Sequence, residues 1–423
     1  MASDNVKRIT GSEILSEKAL SYKPLKGKTV LLGITGGIAA YKAAVYSRKI
    51  RALGARVIPV MTCHATEFLS PITFAALTGE KVYTDLFCIE GAENIPHIEL
   101  AKSADLFLVL PATANIIGKA ANGLADDFLS TLLLAFSGPV LFFPSMNPVM
   151  YAHPATQTNM ERLKTLGYGV IEPETGETAC GDSGRGRLAD WPVVKEAILK
   201  ATTLQTLKGI NVLVSAGPTR EYLDPVRYIS NRSSGLMGYA VARVAVRRGA
   251  RVTLVSGPVS LPPPPGMKLC PVETACEMGD TISKLSQNVH VIIMTAAVAD
   301  YAPAARADRK IKKDTSELRV DLVRTTDILS QLVKDRRDGQ IIVGFCAETQ
   351  DLKAQAIKKI RLKGADLLIA NDVSRPDSGF DALNNRVFIV SSDGDIEPLP
   401  LLHKEEVGEK IWDRIQNMLP QTV

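Results

Sequence analysis

No Cys-x-x-Cys pair occurs in this sequence. Its six cysteines, Cys63, Cys88, Cys180, Cys270, Cys276 and Cys346, are scattered, so a structural zinc site is not expected, and a chain of this size needs no disulfide framework. Nor does any apolar run approach the roughly 18 residues of a membrane span. The first 26 residues are polar and mixed in charge and lack the apolar stretch of a secretory signal, so a cytoplasmic location without a membrane partner is expected. Strong charge of one sign is also missing. A formal net charge of +5 without a clustered basic face fits anionic small molecules and not a nucleic-acid duplex. A G-x-G-x-x-G fingerprint is absent as well, which disfavours a dinucleotide.

What is present is α/β patterning on a chain of 423 residues, too long for one core. Short apolar runs alternate with helix-length amphipathic segments in both halves. Strands are predicted at Val30–Ile34, Val57–Met61, Leu106–Leu110 and Val140–Phe143, then at Val212–Ser215, Val252–Val255, Val291–Met294, Ile341–Phe345 and Leu367–Ala370. The expected fold is two doubly wound, mainly parallel-sheet (Rossmann-like) domains in tandem. Both halves open with a strand, a small-residue turn and a Gly-Ala-Arg-Val entry to the next strand. The expected boundaries are an extension over 1–26, a first domain over 27–191, a linker helix over 192–207 and a second domain over 208–423.

In the first half, Thr35-Gly-Gly-Ile-Ala-Ala-Tyr-Lys42 sits where a strand hands over to a helix. Small residues there let the backbone approach a phosphate at the helix N-terminus; a tight turn with close packing explains them equally well. Pro111-Ala-Thr-Ala-Asn115 follows a strand at its carboxyl end, where ligands of open α/β sheets bind. Gly123-Leu-Ala-Asp-Asp127 is expected on a helical segment, with either carboxylate a helix-start residue. His97 is a lone histidine near an apolar segment, more often a structural hydrogen-bonder. Asn147, in Pro144-Ser-Met-Asn147, is another strand-end polar residue. Cys180 lies in a glycine-rich loop beside Arg185 and Arg187, cations that favour its thiolate.

In the second half, Gly217-Pro-Thr-Arg-Glu221 could form an anion-binding turn. Asn231-Arg-Ser-Ser-Gly-Leu-Met-Gly238 offers an amide, an arginine and two hydroxyls before a helix, a plausible phosphate or carboxylate cradle. Ala296-Ala-Val-Ala-Asp-Tyr301 leaves room for a base or ribose. Lys310-Ile-Lys-Lys313 lies in a long polar stretch, Ala302–Asp321, read either as a solvated face or as a flap over a triphosphate. Lys359 and Lys363 share a helix face at i and i+4; a solvated face explains these too.

Residues 28–190 resemble the flavin-containing cysteine decarboxylases, on Gly36-Gly-Ile-Ala-Ala-Tyr-Lys42, Pro96-His-Ile98, Pro111-Ala-Thr-Ala-Asn115, Ala125-Asp-Asp127, Met146-Asn147 and Ala179-Cys-Gly-Asp182. The resemblance implies a flavodoxin-like fold with FMN at Thr35, Gly36, Gly37, Thr62, Pro111, Thr113, Asn115 and Met146. It also implies a redox-neutral decarboxylation in which the flavin takes and returns a hydride. His97 would act near the departing carboxylate, Asn147 would hold that carboxylate, and Cys180 would donate the last proton. One departure is Ser145 where the family has alanine.

Residues 208 to about 415 resemble the phosphopantothenate–cysteine ligases, on Leu223-Asp-Pro-Val-Arg-Tyr-Ile-Ser-Asn231 and Ala296–Tyr301. Together the halves are similar to the bifunctional phosphopantothenoylcysteine decarboxylase/phosphopantothenate–cysteine ligase family of coenzyme A biosynthesis. The resemblance implies CTP and Mg²⁺, an acyl-cytidylate of 4′-phosphopantothenate, and its aminolysis by cysteine. Asn231 would hold the mixed anhydride, Arg227 would serve the second half-reaction, and Lys310 would stabilise charge on the phosphates. Ala296, Asp300, Asp327, Phe345, Lys359 and Lys363 would line the CTP site, with the metal ligands left open. Leu236 stands where the family often has lysine. A homo-oligomer is implied, dimeric through the ligase half and of higher order through the flavin half. Two other readings compete: a flavin-binding regulatory or scaffold protein with a degenerate ligase domain, which would need none of His97, Asn147 and Cys180, and a flavin–nicotinamide oxidoreductase.

Overall fold

The computed structural model describes residues 22–87, 95–177, 181–312, 318–348, 352–372, 378–379 and 381–420. They form two compact units, one of Lys23–Thr203 and one containing Tyr22 and Leu204 onward. No helix among the described residues is long and apolar enough to cross a membrane.

The first unit is built on β1 (Thr29–Ile34), β2 (Arg56–Met61), β3 (Leu106–Ala112), β4 (Val140–Pro144) and β5 (Gly169–Val170), all parallel, in the order β2-β1-β3-β4-β5. That is the flavodoxin-like doubly wound order, whose switch point lies between β1 and β3. Helices cover both faces, so β3 is buried along its whole length and reads as one unbroken apolar run. One face packs Val30, Leu32 and Ile34 with Leu106 and Leu108; the other packs Leu31 with Phe107, Val109 and Phe142. A hairpin of β6 (Glu174–Glu177) and β7 (Ser183–Arg187) follows the sheet. Residues 192–207, expected as a linker, contain most of the helix Trp191–Thr202. Its Val194, Ile198 and Leu199 are buried in the first core, so this helix is part of that core.

The second unit carries an eight-stranded sheet in the order β12-β11-β8-β13-β16-β17-β19-β20. Its parallel strands are β8 (Asn211–Ala216), β11 (Arg251–Ser256), β12 (Lys268–Pro271), β13 (Val291–Met294), β16 (Ile341–Glu348) and β17 (Leu367–Asp372). Numbered along the chain, these six lie as 3-2-1-4-5-6, with the switch point between β8 and β13. The strands β19 (Val387–Ser391) and β20 (Ile396–Pro398) extend it antiparallel. Three small ribbons complete the unit: β9 (Arg220–Tyr222) with β10 (Tyr228–Ser230), β14 (Tyr301–Pro303) with β15 (Leu322–Arg324), and β18 (Asn384–Asn385) with β21 (Leu402–His403).

The helices Leu236–Arg247 and Lys404–Gln416 pack together over one face of this sheet. Gly408 eases the approach, since a Cβ there would stand 3.3 Å from the Val244 Cγ2. Trp412, fully buried, donates its indole N–H to the Val241 carbonyl at 2.9 Å. Arg247 and Glu405, both almost fully buried, form an ion pair at 2.7 Å. A buried charge pair of this kind fixes orientation more reliably than it adds stability.

Candidate active sites

In the first unit the candidate residues gather where β1, β3 and β4 end. Thr35 is buried; its hydroxyl donates to the Pro111 carbonyl at 2.7 Å and accepts the Thr113 N–H at 3.1 Å, joining the ends of β1 and β3 across the switch point. Gly36 is required by its neighbour, because a Cβ there would lie 2.4 Å from the His64 Cβ and 2.8 Å from its carbonyl carbon. Gly37 faces Thr113, whose Cγ2 would be 3.6 Å from a Cβ. Thr62 caps the short helix Cys63–Thr66 by accepting the Ala65 N–H. Two longer helices, Ala40–Ala52 and Ala114–Asn122, begin here without a side-chain cap; the first N–H groups of the former donate to the Gly37, Ile38 and Ala39 carbonyls, while the start of the latter is open to an anion. Asn115 is exposed in the first turn of the second.

The end of β4 is joined on. Ser145 N–H donates to Ala112 at 3.0 Å, and Met146 N–H to Gly186 of β7, also at 3.0 Å. A Cβ on Gly186 would fall 2.2 Å from the Met146 oxygen, so only glycine permits that approach. Asn147 caps the helix Pro148–Ala152 through its amide oxygen and donates its amide N–H to Asp182 at 2.6 Å. Cys180 lies outside the described residues. His97 stands in the first turn of the helix Pro96–Ser103, edge-on to Phe128 with centroids 6.4 Å apart. Among the described residues no hydrogen bond joins it to Asn147. The segment Gly123–Asp127, expected to be helical, instead separates two helices. Gly123 ends one at φ 69° and Asp127 opens the next with a capping box, while Lys119 pairs with both Asp126 and Asp127. Those carboxylates are therefore helix-start and ion-pair groups.

In the second unit a cavity of about 910 Å³ opens at the carboxyl ends of β13, β16 and β17. It gathers Asn231, Ala296, Asp300, Asp327, Phe345, Lys359 and Lys363, residues spread over more than a hundred positions. The Asn231 amide donates to the Val298 carbonyl at 2.8 Å, which fixes its side chain against the Ala296–Tyr301 segment and leaves one amide N–H over. That segment is stitched down in turn. Ala296 N–H donates to the Ser215 hydroxyl at 3.1 Å, and Ala299 N–H to the buried Thr219 hydroxyl at 3.0 Å. Thr219 is thus engaged within the fold, and Gly217–Glu221, expected as an anion-binding turn, is a structural one that does not line the cavity.

Asp327 caps the helix Ile328–Lys334 and pairs with Lys363. Burial alone would raise its carboxyl, but the Lys363 ammonium and the Ser330 donors outweigh this and hold it below the usual range. Neither Arg227 nor Lys310 lines the cavity. Arg227 is tied to the buried Asp224 and to the Ile311 carbonyl, beside the exposed Lys310. The cavity also contains Lys404, which no sequence pattern singled out. It opens the helix Lys404–Gln416 and donates to the Gly379 carbonyl at 2.9 Å, and burial pushes its ammonium down to about 8 against the pull of Asp381. Asn371, at the end of β17, presents an amide oxygen that is buried without a hydrogen-bond partner. Among the described residues no group of three or more His, Cys, Asp or Glu could enclose a metal.

The Flavoprotein family matches residues 18–203, and the DNA/pantothenate metabolism flavoprotein C-terminal domain matches residues 207–419. The chain is 45% identical over 402 residues to the coenzyme A biosynthesis bifunctional protein CoaBC of Bacillus subtilis, covering 94% of this chain and 99% of that protein. It is 44% identical to the CoaBC of Escherichia coli K12, over 92% of this chain and 97% of that one. For the CoaBC of Vibrio vulnificus CMCP6 the identity is 42%, over 93% and 99%. With two strand-end sites in two doubly wound units, and similarity running through both, the chain belongs to the CoaBC family of bifunctional coenzyme A biosynthesis proteins.

Proposed function

We propose that the second unit joins 4′-phosphopantothenate to cysteine at the expense of CTP, and that the first unit decarboxylates the product to 4′-phosphopantetheine with FMN. The observation that carries the ligase reading is the charge of the cavity, lined by Arg232, Arg324, Lys359, Lys363 and Lys404 against Asp300 and Asp327. Such an excess of cations suits a triphosphate. A free carboxylate is a poor electrophile, so its oxygen first attacks the α-phosphorus and expels pyrophosphate; the cysteine amine then attacks the acyl carbon and expels CMP. In this reading Asn231 holds the acyl-cytidylate through its remaining amide N–H, and Lys310 adds charge at the phosphates. Arg227 serves the second step. Ala296 and Phe345 bound the nucleotide with Asp327, Lys359 and Lys363.

Mg²⁺ carried by a nucleotide needs only one or two protein carboxylates, the remaining ligands being phosphate and water. Asp300 suits this task, since it lines the cavity, is exposed and has no ion pair among the described residues.

The first unit fits FMN: the uncapped start of the helix Ala114–Asn122 lies beside a glycine turn that Thr35 joins to Pro111 and Thr113, leaving backbone donors for a phosphate. Thr62, Asn115 and Met146 complete the ring of contacts. Bound FMN would supply a hydride acceptor that later returns the hydride. Asn147 grips the carboxylate to be lost, His97 lies near it, and Cys180 protonates the product.

Exposed apolar groups favour a homo-oligomer. Ile38, Tyr41, Val45 and Ile72 are exposed at 47–74% around the packed helices Ala40–Ala52 and Pro71–Thr78. In the second unit, Val226 and Tyr228 are exposed on and beside β10, which suits pairing of ligase units. A cytoplasmic location goes with charged substrates that do not cross membranes unaided.

The test is direct. Purified protein should be yellow with bound FMN and release pyrophosphate with CTP in preference to the other common triphosphates. It should also yield CO₂ when cysteine is added. Cys180→Ala should leave ligation intact and stop the second reaction; unaltered CO₂ yield would remove Cys180 from the chemistry. Colourless protein that does not take up FMN would end the decarboxylase reading.

A further inference from the structure

Lys310 is exposed, and what holds it is the backbone of the next residue. The Ile311 N–H donates to Asp224 Oδ2 at 3.1 Å, and the Ile311 carbonyl accepts from Arg227 Nη2 at 2.8 Å. Both backbone polar groups of Ile311 are therefore taken by one turn, residues 223–227. Asp224 itself is 0% exposed. Its second oxygen accepts the N–H groups of Val226 at 2.8 Å and Arg227 at 2.9 Å, and Arg227 Nε lies 3.7 Å from Oδ2. One more bond, from Ala307 N–H to the Leu223 carbonyl at 2.9 Å, joins the same two segments.

A carboxylate is required at this point. Three backbone N–H groups and a guanidinium converge on two oxygens, and a carboxylate is the side chain that can only accept. Burial alone would raise the Asp224 carboxyl, but these donors outweigh it and hold the group ionised, below the usual range. The turn also continues through β10 into Asn231, which lines the cavity. The register of Lys310 is thereby set relative to Asn231 by the turn 223–227, with the buried Asp224 at its centre.

We infer that Asp224 is the positioning residue for Lys310, with Arg227 as its second arm, and that the pair fixes where the Lys310 ammonium meets the phosphates of the nucleotide. This deepens the ligase reading above and rests on the role given there to Lys310. Arg227 then acts on cytidylate formation through the flap backbone, in addition to the second step given to it above.

The substitution Asp224→Asn isolates the flap arm. One amide oxygen can keep the Val226 and Arg227 N–H groups, but the amide NH₂ must then face the Ile311 N–H, donor against donor. In the full FMN-loaded chain, the rate of pyrophosphate release from CTP and 4′-phosphopantothenate is measured for wild type, Asp224→Asn, Lys310→Gln and the double variant. Hydrogen exchange is followed at residues 304–312. Asp224→Asn should speed exchange at Ile311 and slow pyrophosphate release about tenfold, the scale of one charge-assisted hydrogen bond, with KM for CTP little changed. The double variant should be no slower than Lys310→Gln alone, because one residue acts through the other. Losses that multiply in the double variant, or unchanged exchange at Ile311, overturn the inference while leaving the ligase reading intact. Lys310→Gln at wild-type speed overturns the role of Lys310 and the inference with it. Arg227→Lys, which keeps the charge but cannot fork between Asp224 and Ile311, gives the same comparison if Asp224→Asn does not fold.

Discussion

Asn147 donates its amide N–H to the Asp182 carboxylate at 2.6 Å while its amide oxygen accepts the Val149 N–H at 2.8 Å. Asp182 thus occupies one of the two N–H donors of the amide proposed to grip the substrate carboxylate, so the two carboxylates meet at one NH₂ group and repel each other across it. Asp182→Ala should lower KM for the thiol acid severalfold by freeing Asn147. It should also lower kcat, because the end of β4 and the following hairpin lose a contact at that point. Steady-state CO₂ release measures both. A raised KM with unchanged kcat would show that Asp182 does not stand in the way.

Lys363 pairs with Asp327 at the cavity wall. Lys363→Met removes one cation from the site and leaves the Asp327 carboxylate without its partner, facing the phosphates. KM for CTP should rise about tenfold, and part of the loss should return in Asp327→Asn/Lys363→Met. Independent, additive losses would count against the pair.

Lys404 gives a pH signature. Its ammonium is held at about 8 by burial, below the value of about 10.4 for an exposed lysine. Between those values the unfolded chain binds the proton more tightly, so stability of the second unit rises with pH across that window. Below about 8 both states are protonated, and the cost of burying the charge is fully present. A triphosphate near the ammonium would reverse this preference, so CTP binding just above pH 8 should take up a proton. Calorimetry in two buffers of different ionisation enthalpy measures that uptake. Equal uptake by Lys404→Met would assign the proton elsewhere.

Gly238, in the first turn of the helix Leu236–Arg247, lies against the sheet. A Cβ there would meet Thr295 Oγ1 at 2.3 Å and the Ala216 Cβ at 2.6 Å. Gly238→Ala should therefore push the helix start out of the cavity and destabilise the second unit by roughly 1–3 kcal/mol, as overpacking does. Denaturant unfolding should show this in the transition of the second unit only. A variant of wild-type stability and CTP affinity would mean the helix shifts freely.

Strands of the parallel sheets were legible because burial on both faces writes them as unbroken apolar runs, as in Leu106–Leu110 and Ile341–Phe345. Lys268–Pro271 and Ile396–Pro398 were not, being short, half-exposed strands whose pairing is set by neighbours. The cavity residues Asn231, Ala296 and Asp300 could be read from small or polar groups at strand ends. Asp224, Asp182 and Lys404 could not be given a task, since what they do depends on partners distant in sequence: Ile311, Asn147 and Gly379. Thr219 shows the converse. Its turn looked like an open anion site, yet the fold had already claimed the hydroxyl for Ala299.

The contact of Trp412 with Val241 bears on how the protein is made. The helix Leu236–Arg247 leaves the ribosome long before residues 404–416 have been translated, and until then the face that receives Trp412 has nothing to cover it. The nascent second unit must therefore wait with an apolar surface open to chaperones, and a ribosome stalled before residues 404–416 would release a chain whose cavity wall at the start of the helix Leu236–Arg247 has lost its support.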